Sequence, residues 1–226
     1  MNSDKYSDLE IRCGEISFKA HRVILCSQVR FFDKACSSGF KEATDGVIDL
    51  SHDDSDAVRA MLEFAYTASY PCPKGATSER LRALHEVAVY GIGHKYEIPS
   101  LQEHALGRFC CFVSSEWEQE YFPDVVRAIY ESTPSSDRGL RDYVVNIMVS
   151  FQEKISKQDR ESPIQKLLAE IGEFSRDCYV GVGKGLTENF KIFQKALCCT
   201  SCGKDRLLEW KGRAIEYEEG DLCSCS

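Results

Sequence analysis

The sequence has no long apolar run and no excess of basic charge. No stretch approaches the roughly 20 apolar residues of a membrane-spanning helix, and the N-terminal MNSDKYSDLE lacks the basic and apolar regions of a secretory signal. The 28 Lys and Arg are outnumbered by 36 Asp and Glu, giving a net charge of -8, whereas broad phosphate binding needs clustered basic residues. We therefore expect a protein of the cytosol or nucleus that neither enters membranes nor binds nucleic acid broadly.

Catalytic motifs are also missing from the sequence. It contains no nucleophile elbow and no Walker loop, and His52, His85, His94 and His104 fall in no catalytic or zinc-binding pattern. The glycine-rich run at 181–185 lacks the preceding strand and the full spacing of a phosphate-binding loop, so we interpret it as a flexible turn between two helices. The sequence therefore predicts a protein that is not an enzyme.

Two kinds of hydrophobic periodicity divide the chain. Apolar and polar residues alternate over 9–13 and again over 16–20, with Gly14-Glu15 between them, which predicts a β-hairpin. Another short strand is predicted near 47–50, and apolar stripes at helical spacing fill the remainder. The predicted fold class is α+β, a small sheet with a cluster of helices, followed by an all-helical extension. The predicted parts are an α+β domain at 5–112, a helical extension at 113–197 and a cysteine-rich tail at 198–226.

Capping residues predict where several helices begin. Asp53, Asp54 or Ser55 can accept hydrogen bonds from the first free N–H groups of one helix. Ser100 with Glu103 forms a capping-box pattern for another. Ser162-Pro163, followed by Gln165, combines the same pattern with proline at its tolerated first helical position.

A series of short motifs occurs in a fixed order along the first 110 residues. The motifs are Ser7-Asp8-Leu9, Phe18–Leu25, Phe31-Phe32, Phe40-Lys41-Glu42, Phe64–Thr67, Ala88, Lys95-Tyr96 and Leu101. This ordered set resembles the BTB/POZ family. The extension, with Val125–Tyr130, Thr133-Pro134 and Arg138–Asp142, resembles BTB proteins of filamentous fungi.

This resemblance implies a domain that binds proteins. Many BTB domains self-associate, and some attach a bound substrate to a cullin scaffold for ubiquitin transfer. Phe40-Lys41-Glu42 stands where cullin-binding members carry a hydrophobic-x-Glu motif. Two interpretations stay open: Phe40 is an exposed anchor and Glu42 fixes the register of a partner, or Phe40 covers the domain's own core and Glu42 is solvated. The resemblance also implies that Asp8 and His21 form a structural pair that ties the first strand to the first helix.

The 12 cysteines fall into two groups. In a reducing compartment a disulfide framework is not expected, and we interpret the scattered cysteines as small buried thiols. Near the C-terminus, however, Cys199 and Cys202 form a two-residue knuckle, and Cys223 with Cys225 could complete a closed, structural zinc site of four thiolates. The scattered cysteines are Cys13, Cys26, Cys36, Cys72, Cys110, Cys111 and Cys178.

Between the two cysteine pairs, Trp210, Ile215 and Tyr217 are candidates for small strands, as in a zinc ribbon. The second pair is the tighter Cys-x-Cys arrangement and lies at the end of the chain, where fraying is common. A loose tail of free thiols is therefore the alternative to a zinc site.

Together these features predict a protein–protein interaction module that self-associates and recruits a partner, with adaptor for a cullin-type ubiquitin ligase as the more specific form. The alternative is a nucleic-acid-associated regulator that uses the cysteine-rich segment as a zinc reader. That alternative is motivated by Lys204, Arg206, Lys211 and Arg213, although acidic residues of the same stretch offset their charge.

Overall fold

The computed structural model describes residues 5–37, 39, 41–73, 75–113 and 117–197, and two short strands at 210–211 and 214–215. In this part of the chain, no helix has both the length and the apolar character needed to cross a membrane.

Three strands form a small mixed sheet in the order β2-β1-β3. Strands β1 (Leu9–Cys13) and β2 (Ile16–Ala20) pair antiparallel as the predicted hairpin. Gly14 adopts a φ of +59° in the connecting turn, a conformation that glycine tolerates best. Strand β3 (Val47–Asp49) runs parallel to β1 and is an edge strand. The sequence thus predicted the hairpin and the position of β3 correctly, whereas the parallel pairing of β3 with β1 comes from the structure.

Six helices complete the first half of the molecule. The side chain of Asp54 accepts a hydrogen bond from Ala57 N at 2.8 Å, and this confirms one of the three capping candidates. The capping box at Ser100 was wrong, because the helix begins at Pro99 after Ile98, and proline has a φ suited to this position. The six helices are α1 (Arg22–Gln28), α2 (Arg30–Ser37), α3 (Lys41–Asp45), α4 (Ser55–Thr67), α5 (Glu79–Lys95) and α6 (Pro99–Phe112).

The second half is helical up to residue 197. Ser162 Oγ accepts from Gln165 N at 3.4 Å at the start of α10, but the Gln165 side chain donates to Ile155 O instead of closing the capping box. Trp210 pairs with Ile215 in a two-stranded ladder. The elements are α7 (Phe122–Ser132), α8 (Gly139–Ser150), α9 (Gln152–Ser156), α10 (Pro163–Glu170), α11 (Gly172–Leu197), β4 (Trp210–Lys211) and β5 (Ala214–Ile215).

The glycine-rich run at 181–185 lies inside α11, so the predicted turn between two helices was wrong. Here α11 packs against α8, and a Cβ atom at Gly181 would lie only 2.9 Å from Val149 Cγ2 and 3.0 Å from Val145 Cγ1. Glycine at this position therefore permits close contact between two helices and does not interrupt the chain.

Candidate partner-binding surface

An open cleft of about 780 Å³ lies among α2, α3 and β3. Its apolar lining comes from one aromatic and two aliphatic side chains, and its polar lining includes three carboxylates and one amine. The lining residues are Phe31, Asp33, Lys34, Ala35, Ser37, Glu42, Ile48 and Asp49.

The apolar side of the cleft is held in place by the core behind it. Ile48 is 3% exposed and pairs with Ile11 in the centre of the sheet. The ring of Phe31 makes edge contacts with Phe32 at 5.3 Å and with Tyr96 at 4.7 Å between centroids. Because such packed aromatic pairs restrict each other's motion, the cleft has a preformed apolar wall.

Helix α3, which carries Glu42, is tied to the sheet through Arg22. The Arg22 backbone N–H donates to Asp8 Oδ1 at 2.8 Å, and its guanidinium donates to Ala43 O at 3.0 Å. Gly46 ends this segment with a φ of +66°, and its N–H donates to Glu42 O at 3.1 Å. Asp8, which directly precedes β1, therefore helps to position the rim of the cleft through its contact with Arg22.

Asp8 and His21 were expected to form a pair, but they bond to different partners. The backbone N–H of His21 donates to Tyr66 Oη at 2.9 Å, and its ring Nδ1 lies 2.8 Å from the same oxygen. Ring Nε2 lies 3.1 Å from Lys5 O. Since a carbonyl oxygen only accepts, Nε2 carries the proton, and a neutral ring then accepts from the Tyr66 hydroxyl at Nδ1. The start of α1 is thus fixed by two separate interactions, one between Asp8 and Arg22 and one between His21 and Tyr66.

Glu42 is exposed on α3 and forms part of the cleft rim, while Phe40 lies outside the described residues. The structure therefore places the carboxylate half of the predicted Phe40–Glu42 motif beside an apolar cleft. Both interpretations of Phe40, as an exposed anchor and as a cover for the domain's own core, therefore stay open.

A second exposed apolar feature lies at the start of α1. Val23 is 78% exposed and Tyr6 is 82% exposed. The contact between Lys5 O and His21 Nε2 places the N-terminal segment next to the start of α1, the helix that carries Val23.

Sequence reasoning missed the residue that joins the domain to its extension. Asp137 accepts from Tyr90 Oη at 2.6 Å and from Gln102 Nε2 at 3.2 Å, and it lies 3.0 Å from His94 Nδ1. Burial, together with the Asp137 carboxylate, raises the pKa of Tyr90 above its ordinary value. The segment between α7 and α8 therefore supplies polar contacts with α5 and α6.

Arg141 was also missed as a structural residue. It is 2% exposed, and its guanidinium lies 4.3 Å from the Tyr130 ring and donates from Nε to Thr133 Oγ1 at 3.0 Å. Nη1 lies 2.7 Å from Glu173 Oε1 as an ion pair, without the alignment of a hydrogen bond. The sequence feature that could have identified Arg141 was the motif formed by Thr133-Pro134 and Arg138–Asp142. The resemblance of this motif to fungal BTB proteins rests on the sequence alone.

The cysteines that the structure describes are all free. Burial raises the pKa of Cys178 to about 12, and burial together with Cys36 raises that of Cys26 to about 11. The interpretation of all seven as buried thiols is confirmed at Cys13 and Cys178 and is wrong at Cys111, which is exposed, while the other four are partly buried. No group of three metal-ligating side chains occurs among the described residues. The predicted zinc ligands Cys199, Cys202, Cys223 and Cys225 lie outside them.

The architecture of the first half agrees with a match to a known protein family. Residues 1–108 match the family model of the BTB/POZ domain. The hairpin, the parallel β3 and the surrounding helices make up this matched region. BTB/POZ domains mediate protein interactions and oligomerisation and form a family of non-enzymatic modules. Residues 1–108 are therefore similar to the BTB/POZ domain, and the family that they match consists of protein–protein interaction modules.

Proposed function

We propose that this protein is an intracellular adaptor that recruits a protein partner through the face formed by α2, α3 and β3. The observation that carries the proposal is the apolar cleft with Glu42 on its rim. Contacts from Asp8 and Arg22 hold α3 in place, so the carboxylate is presented from a fixed backbone. A preorganised apolar surface with a charged rim is the usual composition of a protein-binding site.

The partner that this proposal favours is a cullin scaffold. Its support is the resemblance of Phe40-Lys41-Glu42 to the hydrophobic-x-Glu motif of cullin-binding BTB proteins and the exposure of Glu42. In this role the carboxylate would fix the register of the scaffold while an apolar anchor is buried against it. The protein's cellular location would then be the cytosol or the nucleus.

Self-association is the second part of the proposal. Val23 on α1 and Tyr6 in the segment next to its start are exposed apolar residues, and neither lines the cleft. A surface of this kind would allow two copies to associate while each keeps its cleft free for a partner.

Co-purification of the tagged full-length chain with a cullin tests the adaptor role. Capture of the cullin by the wild-type chain is expected to be lost or strongly reduced in Phe40→Ala and in Glu42→Ala. Glu15→Ala is a matched control, because Glu15 is an exposed glutamate in the turn between β1 and β2. Absent capture by the wild-type chain, or capture unchanged in both variants, would show that the proposal is wrong.

The zinc site remains a separate proposal. A structural ion held by Cys199, Cys202, Cys223 and Cys225 would appear as added mass in a native mass spectrum, and an apo mass would exclude it. The nucleic-acid alternative has no further support in the described residues, and an absence of binding at low salt would remove it.

A further inference from the structure

We propose that the cleft among α2, α3 and β3 receives an apolar side chain from a basic segment of the partner protein. The choice of surface rests on the proposed function, but the chemistry of the occupant comes from the cleft itself. Its volume of about 780 Å³ falls within the roughly 300–1,000 Å³ typical of binding clefts.

The apolar requirement follows from three lining side chains. Phe31 and Ala35 on α2 are only half-buried, and Ile48 on β3 closes the cleft from the sheet. Apolar surface left in water favours an occupant that removes it from solvent, at roughly 25 cal/mol per Å² buried. An aliphatic or aromatic side chain is therefore the group that this wall would bind.

The basic requirement follows from the charges around that wall. Asp33, Glu42 and Asp49 contribute three carboxylates, and Lys34 contributes one ammonium group, so the polar lining has an acidic excess. Hydrogen bonds from the hydroxyl and backbone N–H of Ser51 lower the pKa of Asp49 and keep it ionised at neutral pH. Complementary charge mainly directs a basic segment to this site and excludes acidic ones.

The same charges disfavour two other occupants. A second copy of this chain has a net charge of -8 and would bring another acidic rim to the first. An anionic membrane surface would be repelled for the same reason. A partner segment in which lysine or arginine flanks an apolar residue meets both requirements.

Fluorescence anisotropy with synthetic peptides tests this inference on the full 226-residue chain. The probe is a fluorescein-labelled peptide with two central leucines flanked by lysines. One matched peptide replaces the lysines with glutamates, and another replaces the leucines with serines. Only the lysine–leucine peptide is expected to bind saturably, and its affinity is expected to fall as salt increases.

Two variants of the protein test whether the peptide binds in the cleft. The charge reversals Asp33→Lys and Asp49→Lys, made together, are expected to weaken binding about tenfold. Ala35→Trp, which fills the apolar wall, is expected to weaken it by a similar factor. Glu15→Lys with Glu103→Lys is the control, since it makes the same change in net charge at two exposed positions that do not line the cleft.

The results of these experiments distinguish a failure of this inference from a failure of the proposed function. Equal binding of the lysine and glutamate peptides, or binding that neither cleft variant reduces, would overturn the inference even if the cullin is captured. A change in subunit number caused by Ala35→Trp would also overturn it, because the occupant would then be a second copy. Selective peptide binding without any cullin capture would support the inference and contradict the cullin proposal.

Discussion

At the scale of single residues, the strongest constraints come from charges buried in the fold. Glu86 in α5 is fully buried, and it accepts from Tyr70 Oη at 2.5 Å and from Arg108 Nε at 2.8 Å. Burial and the neighbouring carboxylate raise the pKa of Tyr70, so its hydroxyl stays protonated and remains a donor. Such a group persists only where partners compensate for its lost hydration. Glu86 therefore fixes how the loop after α4 and helix α6 meet α5.

Replacing Glu86 with glutamine should destabilise the protein. The change leaves the Arg108 guanidinium, whose side chain is 25% exposed, without its countercharge. We expect the free energy of unfolding to fall by about 1–3 kcal/mol, less than for a fully buried ion pair because solvent screens part of the charge. Urea unfolding of Glu86→Gln, with the exposed Glu103→Gln as control, measures this difference. Equal midpoints for the two variants would contradict the role given to Glu86.

At the scale of elements, α11 shows how glycine has different consequences along one helix. Gly181 faces α8 with almost no space for a Cβ atom, whereas nothing lies within 4 Å of a Cβ atom built on Gly183. The intrinsic cost of glycine in a helix is the same at both positions. The packing of α8 therefore decides whether a larger residue is tolerated.

Alanine substitutions at these two positions should have opposite effects. Gly183→Ala is expected to raise the free energy of unfolding by about 0.4–1 kcal/mol, because alanine restricts the unfolded chain and favours the helix. Gly181→Ala is expected to lower it by about 1 kcal/mol, since Val145 and Val149 must move and overpacking exceeds the gain in propensity. Thermal and urea unfolding of the two variants and the wild-type chain measure these changes in stability. Stabilisation by both substitutions would show that α8 adapts without cost.

At the scale of the whole molecule, the domain and its extension share one interior. A single cluster of buried residues extends from Leu9 in β1 to Cys178 in α11. Helix α5 packs against α7, and α6 packs against α8, while Asp137 adds polar contacts at the same joint. The extension is thus integrated with the N-terminal domain, while the cleft, Tyr6 and Val23 remain exposed on that domain.

Subunit number should depend on the exposed apolar residues Tyr6 and Val23. Native mass spectrometry is expected to find a dimer of the wild-type chain and a monomer of Val23→Glu, because a buried interface would have to desolvate the new carboxylate. Leu81→Glu, at a 43% exposed position on α5, is the control and should remain dimeric. A wild-type monomer, or a dimer that Val23→Glu leaves intact, would contradict self-association through this surface.

The sequence by itself determined the hairpin, β3, most helices of the domain and a helix cap among Asp53, Asp54 and Ser55. Alternation, helical spacing and capping are local properties, so they can be read from neighbouring residues. The sequence left two interpretations of Glu42 open, and the structure adds that Glu42 borders an apolar cleft.

Only the tertiary structure decided which distant groups meet. Asp8 binds Arg22 and His21 binds Tyr66, although the resemblance to the BTB/POZ family implied that Asp8 and His21 form a pair. The partners of Glu86 lie 16 and 22 residues away, beyond the reach of any local pattern. The cleft likewise exists only because α2, α3 and the edge strand β3 come together. Long-range contacts depend on which faces pack against each other, and that choice is made by the fold as a whole.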